Sequence, residues 1–323
     1  MAVYTQVSAE AAAELLMRYD VGKLVSLKGI AEGVENSNYL LETDRARFIL
    51  TLYENRVNPA DLPYFHNLLA HLHNAGCPVP RFIDDSTGQW LQDVHGKKSC
   101  LIEFLPGISV SEPTPEQAHA VGQSLAKMHQ AVGDFGEIKP NPLGHKSWRP
   151  LFDQCDKVAA DALQDGFTED IDRECDWLSA NWPQDLSQCA VHTDLFPDNV
   201  LFRGDQVGGL IDFYFACTDY RAYDLAVTHA AWSFTADGRQ YLAGIGEALL
   251  AGYGEVIKLD EAEVHAFPSL ARGASLRFLL TRLYDWINTP ADAMVTRKDP
   301  LAFYHRLVFY RSVESSKLFG GAP

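Results

Sequence analysis

The chain of 323 residues is long enough for two domains or one large one, and its 47% hydrophobic and 22% charged content is ordinary for a globular protein. Its 43 acidic and 27 basic residues give a net charge of −16, which argues against a nucleic-acid or anionic-membrane partner and is compatible with a cationic or zwitterionic small molecule. No run approaches the roughly 20 apolar residues that span a bilayer, the N-terminus lacks a basic leader, and the six cysteines are scattered without a C-x-x-C pair, so a reduced, soluble, cytoplasmic protein is expected.

Ser8 offers a side-chain cap for a first helix in which Ala12, Leu15, Leu16 and Tyr19 recur at helical spacing. The period then changes. Residues 24–30, 38–43 and 47–54 are β-rich, and Gly29, Gly33, Glu35 and Asn36 separate the first two runs, which predicts an antiparallel meander with a glycine-containing turn. Leu62, Phe65, Leu68, Leu69 and Leu72 mark a helix over about 61–75, with Pro63 in its first turn and Gly76 closing it. His71 and His73 point to different faces of that helix, so they and His66 read as surface histidines and not as a metal site. "SCLIEFLPG" at 99–107 reads as a buried strand ended by Pro-Gly, completing a small α+β lobe over residues 1–106.

From Gly107 to the C-terminus the pattern is mainly helical. "TPEQ" at 114–117 is a capping box with proline at the first helical position, followed by Ala118, Val121, Leu125, Met128 and Val132 at steps of three and four. His129 on this helix reads as a hydrogen-bonded interior histidine. Further helical patterns fall at about 153–180, 224–234, 239–253, 260–287 and 300–317. The exception is 189–212, where two β-rich segments flank "RGDQ" and predict a hairpin.

Just before that hairpin stands "CAVHTDLFPDNVLF" at 189–202, with His192, Asp194, Asp198 and Asn199 between apolar residues. The hairpin returns the chain so that Asp212, inside "VGGLIDFYF", comes back beside Asn199. An aspartate in an apolar segment is costly unless it meets a cation or donors. Phosphoryl transfer needs a base to orient the acceptor hydroxyl and oxygen ligands for the metal that neutralises the polyphosphate. The spacing assigns Asp194 as base and Asn199 and Asp212 as ligands of Mg²⁺, with His192 bracing the loop and Asp198 serving the turn. In the first lobe, Gly29 and Gly33 would bring backbone amides to phosphates, and the backbone near Glu103 and Leu105 would face an adenine.

These stretches, with "GIAEGVENSNYLLET", "FILTLYE", "YDLA" at 223–226 and "RGASLRFLLTRLYDW" at 272–286, resemble the aminoglycoside phosphotransferase and choline kinase-like superfamily. Within it, "IDFYFAC" and "RFLLTRLYDW" resemble the kinase-like subgroup that phosphorylates L-homoserine. The resemblance covers nearly the whole chain. It implies a protein-kinase-like two-lobed fold and transfer from ATP, with Mg²⁺, to the side-chain hydroxyl of L-homoserine, on the route to threonine. It also implies that Asp224 supports the loop.

One position departs from the wider kinase pattern: Thr51 stands where the third strand carries a phosphate-binding lysine, leaving Lys28 or Arg47 as possible substitutes. A zwitterionic acceptor needs a fork for its carboxylate, for which Arg277 and Arg282 in an apolar helix are candidates, with Tyr214 as a pocket wall. Ion pairs with Asp285 or other acids remain the competing reading of both arginines. Choline or an aminoglycoside as acceptor, or nucleotide binding without catalysis, are the alternatives to be separated.

Overall fold

In the computed structural model, which describes residues 4–30, 36–54, 57–289 and 297–320, the chain forms two units, Met1–Pro106 and Gly107–Pro323. Helix α1 (Ala9–Leu16) starts where the Ser8 side chain accepts the Ala11 N–H. The alternating segments then fold as an antiparallel meander of β1 (Leu24–Ile30), β2 (Asn36–Thr43) and β3 (Arg47–Tyr53). Helix α2 (Leu62–Asn74) takes Pro63 in its first turn and stops before Gly76, whose φ of +82° a residue with a Cβ would resist.

The last two strands are β4 (Leu91–Val94) and β5 (Lys97–Glu103), and the sheet order is β1-β2-β3-β5-β4. The sequence reading passed over β4. It is short, and what makes it a strand is the two-residue turn of His95 and Gly96, both at positive φ, which suits the twist of a tight hairpin. One sheet face supplies Tyr39, Leu41, Leu50, Leu52 and Leu101, on which Ala12, Leu15 and Leu16 of α1 pack to form this unit's core. In α2, Leu62, Phe65, Leu68, Leu69 and Leu72 are buried, while His66, His71 and His73 are half-buried. His66 lies flat on Trp90 at 4.6 Å.

The second unit opens with the chain at Ile108 pairing to Phe202, and Gly107 has no room for a side chain: a Cβ there would stand 2.9 Å from Leu201 Cβ. Helix α3 (Pro115–Ala131) begins with both bonds of the Thr114–Gln117 capping box. The stretch expected as a single helical pattern over 153–180 holds two helices, α5 (Lys157–Asp161) and α6 (Phe167–Asn181), and ahead of it stands α4 (His145–Asp153), where no helix was expected. Asp156 caps α5, and Gly166 at φ +68° turns the chain into α6. Four short strands follow, β6 (Gln188–Val191), β7 (Val200–Arg203), β8 (Gln206–Leu210) and β9 (Cys217–Tyr220).

The remainder is helical: α7 (Arg221–Trp232), α8 (Ala243–Val256), α9 (Glu261–Asn288), α10 (Leu301–Ser312) and α11 (Ser315–Leu318). Every residue of α7 from Ala222 to Trp232 is buried, so it is the central element of this unit. Helices α3 and α8 touch backbone to backbone: a Cβ on Gly122 would strike the Leu249 carbonyl, and one on Gly252 the His119 carbonyl. Among the described residues no helix is long and apolar enough to cross a membrane.

Candidate active site

Strands β6 and β9 pair antiparallel, with Val191 opposite Cys217. Everything from His192 to Ala216 therefore hangs from one two-stranded clasp. Inside it, β7 and β8 form the expected hairpin through Gly204 at φ +61°, Val200 faces Leu210, and the Ile211 N–H donates to Asn199 O at 3.0 Å. Asp212 thus returns beside Asn199. The clasp itself was not legible, because two four-residue strands separated by a long loop leave no periodicity to read.

The loop backbone is satisfied group by group. The fully buried Asp224 carboxylate of α7 accepts the His192 N–H (2.8 Å) and the Thr193 N–H (2.6 Å). Its Oδ2 also accepts from His129 Nε2 at 2.9 Å, while His129 Nδ1 meets the Tyr253 hydroxyl. Burial opposes ionisation of Asp224, but the hydrogen bonds it accepts from His129 and from the His192 N–H hold its carboxyl below the usual range. Asn199 Nδ2 donates to Asp194 O (2.8 Å), Trp232 Nε1 to Leu195 O (2.8 Å), and Arg277 Nη1 to Thr193 O (2.6 Å). Thr193 sits at φ +59°, a left-handed conformation that strains a β-branched residue by about 1–3 kcal/mol.

His192, buried completely, ties the Asp194 backbone to the residue before Asp212. Its Nδ1 accepts the Asp194 N–H at 3.2 Å, so Nε2 carries the proton and donates to Ile211 O at 2.9 Å, one residue before Asp212. Burial lowers its pKa, which keeps the imidazole neutral as this bridge requires. Asp212 differs from its expected setting. It adopts φ +65° after β8, and this left-handed turn lifts its side chain out of the apolar strand, so that it is exposed.

Asp194 is half-buried. Desolvation pushes its carboxyl well above the usual range; the Arg277 charge opposes this, and Asp212 and Asp198 add to it. Crowding by protein and then the Asp198 charge push the Asp212 carboxyl up to about 6, a shift that its contact with solvent partly screens. Lys298, which the sequence reading did not single out, stands 3.9 Å from Asp198 and acts against both shifts.

The donor set fits a hard divalent cation. Asn199 turns its amide nitrogen to Asp194 O and Oδ2, leaving Oδ1 without a protein hydrogen bond among the described residues. The charges of Asp212 and Asp198 add to the rise at Asp194, and that of Asp198 to the rise at Asp212, so the group as a whole favours a cation. Among the described residues no three His, Cys, Asp or Glu side chains form a closed cage. A cation that keeps waters and phosphate oxygens as ligands does not need one.

The other expected residues are distributed as follows. Arg277 is 2% exposed, its Nε makes no hydrogen bond among the described residues, and its guanidinium lies over Phe278 at 4.6 Å. The fork expected to face an acceptor is therefore turned inward. Arg282 is half-buried over Phe303 at 4.5 Å, with a long hydrogen bond to Asp299 O (3.3 Å) and no ion pair among the described residues. Burial and then the Arg306 charge pull its pKa down to about 10. The hydrogen bonds of both arginines go to backbone carbonyls, Arg277 to Thr193 O and Arg282 to Asp299 O. Tyr214 is half-buried in the turn after Asp212.

In the first unit, Gly29 lies in β1 opposite Tyr39, and Gly33 falls outside the described residues. Thr51 is 2% exposed and donates to Asn38 Oδ1 at 2.8 Å. Lys28 and Arg47 are exposed, the latter 5.9 Å from the Phe104 ring. Glu103 ends β5, where its side chain meets Arg81 at 3.2 Å, and Leu105 is half-buried. Trp232 was missed because nothing local distinguishes its indole from core. His129 was read as interior, but its carboxylate partner lies 95 residues away.

A family profile described as "Phosphotransferase enzyme family" matches residues 26–259. Similar curated proteins include the homoserine kinases of Zymomonas mobilis subsp. mobilis, 47% identical over 98% of this chain and 99% of that one, and of Sinorhizobium fredii, 49% identical over 99% and 98%. Among solved structures, an amicoumacin kinase in complex with AMP-PNP, Ca²⁺ and its ligand superposes with a TM-score of 0.73 at 14% identity, covering 96% of this chain and 95% of that one. A spectinomycin phosphotransferase with ADP and spectinomycin gives 0.70 at 15% identity, covering 97% and 100%. At such identities the structures establish the shared kinase-like fold.

Proposed function

The chain belongs to the phosphotransferase enzyme family, and from that premise we infer that it transfers the γ-phosphoryl group of ATP to the side-chain hydroxyl of L-homoserine. The observation that carries the acceptor is the 47–49% identity to homoserine kinases over essentially the full length of both chains. The loop supports the chemistry. Asp194 takes the proton of the acceptor hydroxyl as its oxygen attacks the γ-phosphorus, and the bond from that phosphorus to the bridging oxygen breaks, leaving ADP. His192 and Asp224 keep the Asp194 backbone in place through the hydrogen bonds described above.

Asn199 Oδ1 and Asp212 would hold a divalent cation, Mg²⁺ in this reading, which when bound neutralises phosphate charge and orients the leaving group. Arg282 is the better placed of the two candidate forks for the acceptor carboxylate: its charge is penalised by burial and lacks a counter-ion among the described residues. Tyr214, beside Asp212 in sequence, flanks the acceptor. The nucleotide contacts are assigned to Gly29, Gly33 and Thr51 and to the backbone at Glu103 and Leu105.

Coupled detection of ADP with homoserine, choline, ethanolamine and an aminoglycoside tests the assignment. Turnover of homoserine above the other alcohols is expected, and a preference for any cationic alcohol would overturn it. Asp194→Asn is expected to lose about 10²–10⁴-fold in kcat with nucleotide affinity kept.

A further inference from the structure

In the second unit Arg221 pairs with Glu263, and Arg272 and Arg311 both reach Glu174. Two buried arginines have no such acid among the described residues: Arg306, which donates to the Ala302 and Thr235 carbonyls, and Arg277. Arg277 is the most deeply buried of these guanidiniums, and its Nε makes no hydrogen bond among the described residues. Burying a guanidinium this way is expensive. Its hydrogen bond to the loop goes to the Thr193 carbonyl oxygen, at 2.6 Å, and the Tyr223 hydroxyl lies beside the guanidinium.

That carbonyl belongs to the peptide bond leading directly into Asp194. Thr193 stands in the left-handed region that a β-branched residue avoids, and its other two polar groups are also clamped. Its N–H goes to Asp224 and its hydroxyl to Phe215 O at 3.1 Å. A strained residue persists only where its surroundings over-determine it. Asp224 fixes the N–H of the residue, and among the described residues Arg277 holds its carbonyl. The guanidinium lies over the Phe278 ring at 4.6 Å, with the Phe215 ring at 5.5 Å, so aromatic side chains pack against the group that holds the carbonyl.

We propose that Arg277 is a positioning residue for catalysis: it holds the Thr193 carbonyl, thereby sets where the Asp194 carboxylate sits, and makes no contact with the acceptor. This rests on the reading of Asp194 as the base. It also divides the labour of the two arginines of α9, with Arg282 left to bind the acceptor and Arg277 to shape the loop.

The test uses the full chain with Arg277→Met, Arg277→Lys and Asp194→Asn, with kcat and KM measured on homoserine or on whichever alcohol the wild type phosphorylates. A displacement of the base by a fraction of an ångström predicts that Arg277→Met loses about 10–100-fold in kcat while KM for the acceptor moves by less than about 3-fold. Arg277→Lys, which keeps a charge and a donor, is expected to recover part of the loss. A rise in acceptor KM with kcat preserved, or no change in either constant, would overturn the proposal. Should Arg277→Met fail to fold, Arg277→Lys with a native circular dichroism spectrum decides: reduced kcat at constant KM supports positioning, and unchanged kcat overturns it. Full activity in Asp194→Asn would instead strike the reading of the base, an outcome separate from the Arg277 ratio.

Discussion

Replacing Asp224 by asparagine changes one atom's chemistry at the point where the most hydrogen bonds to the loop converge. The carboxylate accepts three hydrogen bonds, Thr193 N–H on Oδ1 and His192 N–H with His129 Nε2 on Oδ2. An amide must turn its NH₂ toward one of these two groups of donors. The less damaging orientation keeps oxygen at the Oδ2 position and sets NH₂ against the Thr193 N–H, so one buried charge-assisted bond is lost and the other two weaken. At about 1.5–3 kcal/mol for a hydrogen bond to a charged group, with a further contribution from donors left unpaired, the expected destabilisation is about 3–5 kcal/mol. The Thr193 peptide, already strained, is then free to relax, and kcat should fall by about 10–100-fold through displacement of Asp194. Urea unfolding followed by circular dichroism gives the first number, and coupled ADP release the second. A variant within about 1 kcal/mol of wild type and with kcat unchanged would show that Asp224 does not hold the loop, and the argument from the three bonds would be refuted.

Gly122→Ala should destabilise by about 3 kcal/mol with little effect on KM, because its methyl group meets the Leu249 carbonyl of α8 and backbone cannot swing aside; thermal unfolding measures it. Arg282→Met should raise KM for homoserine by about 10-fold or more with a smaller change in kcat, read from steady-state kinetics, whereas equal KM values would remove Arg282 from the acceptor site. Burial lowers the His229 pKa from 6.5 to about 3. The unfolded chain therefore takes up this proton first as pH falls. Stability attributable to His229 is complete above about 6.5 and is lost toward pH 3, with a slope of at most about 1.4 kcal/mol per pH unit. Denaturant unfolding of wild type and His229→Gln between pH 4 and 7 should differ in slope by about one proton, and parallel curves would contradict the assignment.

The meander, α1, α2 and the α3 capping box were legible because each is decided within about ten residues, by period, cap and turn chemistry. The stretch 153–180 reads as one helix because the break at Gly166, between α5 and α6, interrupts a hydrophobic period without erasing it. Strand β4 depended on a turn of His95 and Gly96 that lacks the usual asparagine or aspartate. In the loop, the order of His192, Asp194 and Asn199 ahead of a hairpin was enough to bring Asp212 back beside Asn199. It was not enough to show that a left-handed turn exposes Asp212.

The amino-acid order by itself determined the loop from His192 to Asn199, the hairpin that follows it and the kind of chemistry proposed for those side chains, since all lie within one short contiguous segment. Only the packed chain decided which partners hold that segment. Arg277 meets Thr193 across 84 residues and Asp224 meets His129 across 95. A guanidinium carries the same donors whether it faces an acceptor or a backbone carbonyl. The choice between them is made by the burial of α7 and α9 in one core, where each polar atom must find a partner or bear the cost of lost water.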